Sequence, residues 1–429
     1  MNRRGPVRRS NAASPVGDDP RRRLLLDLYK TALSAVDGRR CVAHALAQMP
    51  RADTAVIAIG KAAAAMMAGA RDALGVHLRT GFVVTAPGTE PVLAADARVH
   101  VHRGDHPVPG PASLAAGAAL GQFVSTLPAD LPVCVLVSGG ASSLIEDPLP
   151  GVTLGDLAAL NQWALARNVP ISQLNGLRRR LSAIKGGRLA AQLAGRSAWA
   201  LLISDVPGDD PSIIGSGLVA CRAGQEAPLP ADLPGRLQAL FATLPTPAGA
   251  TLPTTVVASL TQALDAIEAR AHALGMTVQR QAHRVEGLAV RAATELAASL
   301  LNLTADVLIA GGETTVVLPT TPGVGGRCQH LALAAALPLQ GRADVSLLIA
   351  GSDGIDGASV DAGAIVDGGT LERAALESLD ADDCLRRADS GAFLHASGDL
   401  LHTGPTLTNV GDLMIGLKMT AARAEAIAA

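Results

Sequence analysis

The sequence predicts an α/β protein built on largely parallel sheets and divided into two domains. Short β-branched runs recur, each ending in Gly, Ser or Asp and followed by a helical pattern, which is the rhythm of βαβ units. Hydrophobic residues make up 48% of the chain and aromatic ones only 2%, so its cores must be aliphatic. That composition suits Val/Ile/Leu strands covered on both faces better than an aromatic-rich sandwich. A length of 429 residues exceeds what one ordinary core serves, hence two domains.

Taken in order, apolar spacing predicts a helix pair over 22–49, broken near Asp37-Gly38. The run 54–59 leads into Gly60-Lys61 and an Ala/Met helix, and 133–137 leads into Ser138-Gly139-Gly140-Ala141-Ser142-Ser143. Likewise 200–203 ends in Ser204-Asp205, 307–310 in Gly311-Gly312-Glu313, and 345–350 in Gly351-Ser352-Asp353-Gly354. Further helices are expected over 171–193, 236–243 and 285–303. A Pro-rich stretch over 221–253 reads as the domain junction. The expected division is a disordered leader over 1–21, an N-terminal domain over 22–250 and a C-terminal domain over 251–429. In parallel sheets ligands bind beyond the carboxyl ends of the strands, so these strand ends mark the working edge.

A net charge of −2 argues against a nucleic-acid binder, which would carry a basic excess. Basic charge gathers only in residues 1–23, where seven Arg face Asp18 and Asp19; this reads as a solvated leader without the apolar segment of a secretory signal. Five scattered cysteines with no C-x-x-C pair exclude a disulfide framework or zinc knuckle and suggest a reducing, cytoplasmic setting. Charge-free stretches are broken by Pro and Gly, so no membrane span is expected. Any nucleotide base would lie against aliphatic side chains.

Only four of the 36 Lys and Arg residues are lysine. Where Arg serves nearly everywhere, a Lys in a Gly-flanked turn suggests a need for a compact point charge. Lys61 follows a strand and Gly60 and opens a helix, so its ammonium and the turn amides face phosphate together. Lys185, in Ile184-Lys185-Gly186-Gly187, is a second candidate. The turn carrying Ser138, Gly139, Gly140, Ser142 and Ser143 offers amides and hydroxyls to an anion. It is not a Walker A loop, and no G-x-G-x-x-G follows the first strand, which weakens a nicotinamide-binding reading. Asp205, Asp209, Glu313 and Asp353, at or near strand ends, are candidate magnesium ligands or the base that phosphoryl transfer needs. A capping role for Asp209 or Asp210 near Pro211 competes with this. His102 and His106 are four apart, but Gly104, Pro107 and Pro109 argue against a helical metal pair, leaving His106 as a substrate hydrogen-bonder. Arg327, in Gly325-Gly326-Arg327, can grip a carboxylate or stabilise a transferring phosphoryl group.

These segments together resemble the glycerate 2-kinase family, whose C-terminal portion is called the MOFRL domain. The matching stretches are 58–63, Gly104-Asp105-His106-Pro107-Val108-Pro109, 138–144, Leu174-Asn175 through Lys185-Gly186-Gly187, Ser204-Asp205-Val206 through Asp210, 311–315, Gly325-Gly326-Arg327, 352–357, and Thr403-Gly404-Pro405-Thr406 through Asn409-Val410. Their order and spread, from about residue 22 to about residue 420, make the resemblance specific. It implies two three-layer α/β/α domains, the N-terminal one Rossmann-like, with the active site in the cleft between them. It implies ATP with Mg²⁺ and transfer of the γ-phosphoryl group to the 2-hydroxyl of D-glycerate, giving 2-phosphoglycerate. Lys61, Asp205 and Arg327 then become the catalytic residues, with Asn175 among the substrate or phosphate contacts and Asp209, Glu313 and Asp353 as metal ligands. The expected partner is D-glycerate, with no nucleic acid or membrane, and the expected assembly a homodimer. Two positions depart from the family pattern: Cys328-Gln329-His330 stands where relatives often have Asn-Gln-Glu, and Leu407 where they often have Gly. Relatives are often labelled hydroxypyruvate reductases, so an NAD(P)H-dependent reductase is one alternative. A non-catalytic protein that binds phosphorylated metabolites is another.

Overall fold

In the computed structural model, β1 (Thr54–Ile59) is buried at every position. So is β4 (Val133–Val137). Each fully buried Val, Leu or Ile contributes roughly 1.5–3 kcal/mol relative to exposure, so these two strands anchor their sheet. β2 (Leu78–Thr85), β3 (Val99–Arg103), β5 (Ala198–Ile203) and β6 (Thr254–Ala258) complete it in the order β3-β2-β1-β4-β5-β6. Every pairing in it is parallel. The structure describes residues 19–87, 96–167, 169–221, 229–245 and 249–428. Most of the expected leader, residues 1–18, lies outside the described residues.

The helices of this part are α2 (Gly38–Ala47), α3 (Ala63–Leu74), α4 (Pro111–Thr126), α5 (Ala141–Leu144), α6 (Leu154–Ala166), α7 (Ile171–Leu181), α8 (Arg188–Gln192) and α9 (Gly235–Thr243). They follow α1 (Pro20–Ala35), and Asp37 caps α2 by accepting from Arg40 N–H, the break expected at Asp37-Gly38. Ala116, Leu120 and Val124 of α4 cover one face of the sheet with Leu189 and Ala190 of α8. On the other face Gly38 of α2 abuts Met66 of α3 and Ile203 of β5. Layers on both faces and the strand order 3-2-1-4-5-6 make this sheet doubly wound.

The second sheet corrects the expectation of parallel pairing throughout. It comprises β7 (Val278–Arg280), β8 (Val285–Leu288), β9 (Val307–Thr315), β10 (Val345–Gly351), β11 (Gly363–Asp367), β12 (Leu400–Leu401) and β13 (Asp412–Lys418). β10–β11, β11–β12, β10–β13 and β13–β9 are antiparallel, while β7 and β8 run parallel to β9. A buried strand has the same apolar composition whichever way its neighbour runs, so composition alone cannot set direction. The turn expected after residue 310 is absent, because β9 continues through Gly311-Gly312-Glu313 to Thr315. The helix expected over 285–303 is a strand to Leu288 and then α10's successor α11 (Ala289–Leu301), α10 being Leu260–Ala273. α11 and α12 (Arg327–Leu339) bury Leu296, Leu300, Leu331 and Ala335 against this sheet. Lys418 Nζ donates to the carbonyls of Leu301 (2.7 Å) and Leu303 (2.9 Å), placing a cation on the carboxyl end of α11.

The chain divides into two compact units. One is Ala32–Ala266 with Pro405–Gly411, and the other Met1–Thr31, Ile267–Gly404 and Asp412–Ala429. This differs from a sequential cut after residue 250. β6 pairs with β5 beyond that point, and α9, within the Pro-rich stretch, buries Leu237, Leu240 and Phe241 against α6 and α7. Proline marks an irregular path there, not an end of packing. At the other end, Tyr29 Oη of α1 donates to Gly351 O at 2.7 Å. Arg22, expected in a solvated stretch, is buried and paired with Asp399. The matching carboxylate lies far away in sequence, so nothing local marks that arginine as internal.

Candidate active site

Strand order reverses between β1 and β4, and at such a switch point the loops beyond the two strands diverge to leave a crevice. The loop after β1 carries Gly60-Lys61 and the loop after β4 carries Ser138–Ser143. Backbone and side-chain bonds clasp them together: Lys61 N–H donates to Gly139 O (2.9 Å) and Ala62 N–H to Ser138 Oγ (3.0 Å). Gly60 lies so close that a Cβ there would run into Ser138. Ser138 is fully buried, so its hydroxyl serves the clasp.

Two glycines bring the polar side chains together. A Cβ on Gly139 would fall on the Asp205 carboxylate and the Asn409 amide. A Cβ on Gly140, whose φ is +81°, would lie 3.0 Å from Lys61 Cγ and 3.6 Å from His106 Cδ2. Lys61, His106, Asp205 and Asn409 therefore surround one two-residue turn. Among the described residues, no acceptor faces the N–H of Gly139 or Gly140. Unpaired amides beside an ammonium fit an anionic group such as the phosphates of ATP. Asp205 is half-buried directly after β5, and its Oδ2 accepts from Asn409 Nδ2 at 3.1 Å. His106 is exposed on a loop fixed by Asp105, whose Oδ2 accepts from Ala112 N–H (2.8 Å) and Ser113 N–H (3.2 Å) at the start of α4. His102 stacks on Phe82 with ring centroids 4.6 Å apart, so its ring packs against the sheet.

Other expected contacts are engaged within the protein. Ser142 Oγ meets Ser216 Oγ at 2.7 Å, and Ser143 Oγ donates to Gly140 O at 3.1 Å. Lys185, expected at the phosphate, is already engaged within the protein. It is buried, donates to Ser142 O at 2.8 Å and forms an ion pair with buried Glu146. The helix expected over 171–193 is interrupted for this purpose, with Gly186 and Gly187 at φ 64° and 79° turning the chain between α7 and α8. Asn175 Oδ1 accepts from Arg178 Nη1 at 3.2 Å. Asp209 is half-buried at φ 53°, and Asp210 Oδ1 accepts from Ser212 N–H (2.8 Å) and Oγ (2.7 Å) in a local turn; the helix expected near Pro211 is only the 3-10 turn Ile214–Ser216, which has no side-chain cap.

In the other unit Arg327 opens α12 and is clamped by acids. Its Nε and Nη2 donate to Asp412 Oδ2 (2.7 Å) and Oδ1 (3.0 Å), and Nη1 pairs with Glu313. Burial opposes the charge of this guanidinium, but Asp412 and Glu313 outweigh it and hold its pKa up. Asp353 Oδ1 accepts from Ile355 N–H at 3.2 Å, and a Cβ on Gly351 would lie 3.1 Å from Asp353 Oδ1 and 3.7 Å from Asp412 Oδ1. Buried Asp356 accepts from Cys328 N–H (3.0 Å) and Gln329 N–H (2.8 Å), closing the amino end of α12. Among the described residues no three or more His, Cys, Asp or Glu form a group that could hold a metal ion. Magnesium commonly takes only one or two carboxylates plus substrate phosphates, so such a cage is not required. A cavity of about 470 Å³ opens beside Thr54, Pro132, Ser197 and Trp199, at the amino ends of the first sheet's strands and away from these residues.

Sequence reasoning missed Asp412 and Asp356 and assigned no role to Asn409, Glu146 or Arg178. Asp356 and Asn409 stand inside the motifs quoted above, and Asp412 opens a strand directly after Gly411, which is a place for a carboxylate with a job.

The chain is similar to several known proteins over most of its length. Residues 24–227 match the DUF4147 domain of unknown function, and residues 306–412 match the MOFRL family. The chain is 32% identical to the D-glycerate 2-kinase of Thermotoga maritima, over 92% of this chain and 98% of that one. It is 35% identical to an Agrobacterium vitis protein provisionally named hydroxypyruvate reductase, over 91% of this chain and 93% of that one. The crystal structure of a Thermotoga maritima glycerate kinase superposes with a TM-score of 0.80 at 31% identity, covering 92% of this chain and 99% of that chain.

Proposed function

The chain belongs to the glycerate 2-kinase family, and we propose that it transfers the γ-phosphoryl group of ATP to the 2-hydroxyl of D-glycerate, giving 2-phosphoglycerate and ADP. The observation that carries the site assignment is the convergence of Lys61, His106, Asp205 and Asn409 on the Gly139-Gly140 turn at the switch point of the parallel sheet.

When bound, ATP supplies the phosphoryl group and Mg²⁺ neutralises part of its charge. The Lys61 ammonium and the amides of Gly139 and Gly140 receive phosphate oxygens, giving the transferring group fixed positive partners. Asn409 fixes the plane of the Asp205 carboxylate, which orients the 2-hydroxyl and takes its proton. His106 hydrogen-bonds the substrate from the edge of the turn. For Arg327 we propose charge stabilisation of the transferring group. Asp412 sets its orientation, and Glu313 is the partner it can exchange. Asp209, Glu313 and Asp353 are the proposed metal-facing carboxylates, and Glu313 would have to release Arg327 to take a cation.

The test is glycerate-dependent ADP formation by the purified protein with MgATP, with the product identified as 2-phosphoglycerate. Hydroxypyruvate-dependent NADH oxidation in place of that signal would overturn the reading in favour of a reductase. Lys61→Ala and Asp205→Asn should each lower kcat on the order of 10²-fold or more, with unchanged melting behaviour. Near-normal turnover by both folded variants would remove these assignments.

A further inference from the structure

Arg178 is held in a different manner from Arg327. α6 and α7 pack through Leu157, Leu160, Leu174 and Leu177, and beside this contact Asn161 of α6 meets Arg178 of α7. Asn161 Oδ1 accepts from Arg178 Nε (3.1 Å) and Nη2 (2.7 Å), and Asn175 Oδ1 accepts from Nη1 (3.2 Å). A guanidinium carries five N–H donors. Here three are occupied, all by neutral amide oxygens, which orient the group without cancelling its charge. Arg327, by contrast, has carboxylates on both sides.

The surroundings leave that charge unspent. Burial works against the charged form of Arg178, and the acid whose field supports it is Glu146. That carboxylate is already committed to Lys185. Among the described residues no carboxylate lies within ion-pair distance of Arg178. A half-buried, oriented and unpaired arginine is what recognition of a carboxylate requires, since two parallel charge-assisted hydrogen bonds then form without first breaking an ion pair.

Its helix is linked to the phosphate turn through the segment that leaves α5, whose Glu146 carboxylate acts on Arg178. The segment leaving α5 is stitched to the end of α7, with Leu149 N–H donating to Leu181 O (2.9 Å) and Ala183 N–H to Asp147 O (2.6 Å). Glu146 N–H donates to Ser113 O (3.1 Å), which ties the same segment to the loop that carries His106. Lys185 joins Glu146 to Ser142 O within the turn itself.

We propose that Arg178, oriented by Asn161 and Asn175, receives the carboxylate of the acceptor substrate and so selects a 2-hydroxy acid over an uncharged polyol. This rests on the kinase reading above. In a 2-hydroxy acid the reacting oxygen sits one carbon from the carboxylate, so gripping the carboxylate also places the hydroxyl.

The experiment compares D-glycerate with its neutral isostere D-glyceramide in wild type, Arg178→Gln and Asn161→Asp, with KM for ATP and the melting midpoint as controls. The second variant keeps the arginine but supplies a competing carboxylate. Expected is a rise in glycerate KM on the order of 10- to 100-fold in both variants, with the preference for glycerate over glyceramide lost and KM for ATP unchanged. If Arg178→Gln does not fold, Asn161→Asp carries the same comparison. A preference that survives in the folded variants, or equal losses on both acceptors, overturns the assignment. A wild-type protein inert towards glycerate would overturn the function itself, and the inference with it.

Discussion

Replacing Lys185 by Met should destabilise the protein by about 3–5 kcal/mol, through Glu146 and not through ATP. The side chains of Lys185 and Glu146 are 1% and 2% exposed, so each charge is removed from water and depends on the other. Met preserves most of the aliphatic volume, which leaves packing nearly unchanged. What is lost is the partner of a buried carboxylate and the donor to Ser142 O, held at 2.8 Å. Removing one member of a buried pair leaves an uncompensated charge, and at roughly 2–4 °C per kcal/mol the melting midpoint should fall by roughly 6–20 °C. Adding Glu146→Gln removes that charge while its amide oxygen can still accept from Asp147 N–H, a bond now 3.0 Å long. The double variant should recover most of the stability and keep KM for ATP within about threefold of wild type. Urea titration with steady-state kinetics measures both quantities. A single variant with an unchanged midpoint and a KM for ATP raised tenfold or more would refute the reasoning and return Lys185 to the phosphate site.

Gly139→Ala should lower kcat on the order of 10²-fold with little change in the melting midpoint, because the methyl group displaces Asp205 and Asn409; steady-state kinetics would show it. Burial pushes the Asp356 carboxyl from the ordinary 3.8 up to about 7, against the opposing pull of the Gln329 and Cys328 N–H groups. Above its unfolded pKa the unfolded chain releases this proton and the folded protein keeps it. The group therefore subtracts stability as pH rises from about 4 to about 7, on the order of a few kcal/mol in all. Asp356→Asn should flatten that limb in urea midpoints measured across the range, and a constant offset between the two proteins would contradict it. Leu407 holds φ 61°, where glycine is at ease and a branched side chain is strained. Leu407→Gly should raise stability by roughly 0.5–1 kcal/mol in urea unfolding, whereas Leu407→Ala should give no gain.

The first sheet was readable because parallel strands buried on both faces leave continuous apolar runs, and 54–59 and 133–137 have no polar interruption but the leading Thr54. Those runs fixed β1 and β4 to the residue. The second sheet was less readable for the same reason. β9 runs through Gly311, Gly312 and Glu313, residues that usually end a strand, because β13 and β8 pair with it there. Tertiary pairing overrode local turn chemistry. The residue sets of the two units were not readable either. They depend on where Arg22 finds Asp399 and where β6 finds β5, and both are non-local.

At the site, the scarcity of lysine suggested special use but did not say which use. Lys418 places its charge on the carboxyl end of α11, Lys185 neutralises a buried glutamate, and Lys61 stands beside the Gly139-Gly140 turn, whose amides face no acceptor among the described residues. All three place a compact point charge, which differs from Arg's planar fork. Only the surroundings separate these uses: Lys418 faces helix carbonyls and Lys185 a buried carboxylate, while Lys61 borders a glycine turn. The same criterion divides the arginines. Arg327 lies between Asp412 and Glu313, so a ligand must compete for it, whereas Arg178 is oriented by amides and has no carboxylate within ion-pair distance among the described residues. Motif spacing locates such residues, but whether their charge remains available is a property of neighbours brought together by folding. That is why Asn409, Asn161 and Glu146, none of them reactive alone, determine what Asp205, Arg178 and Lys185 do.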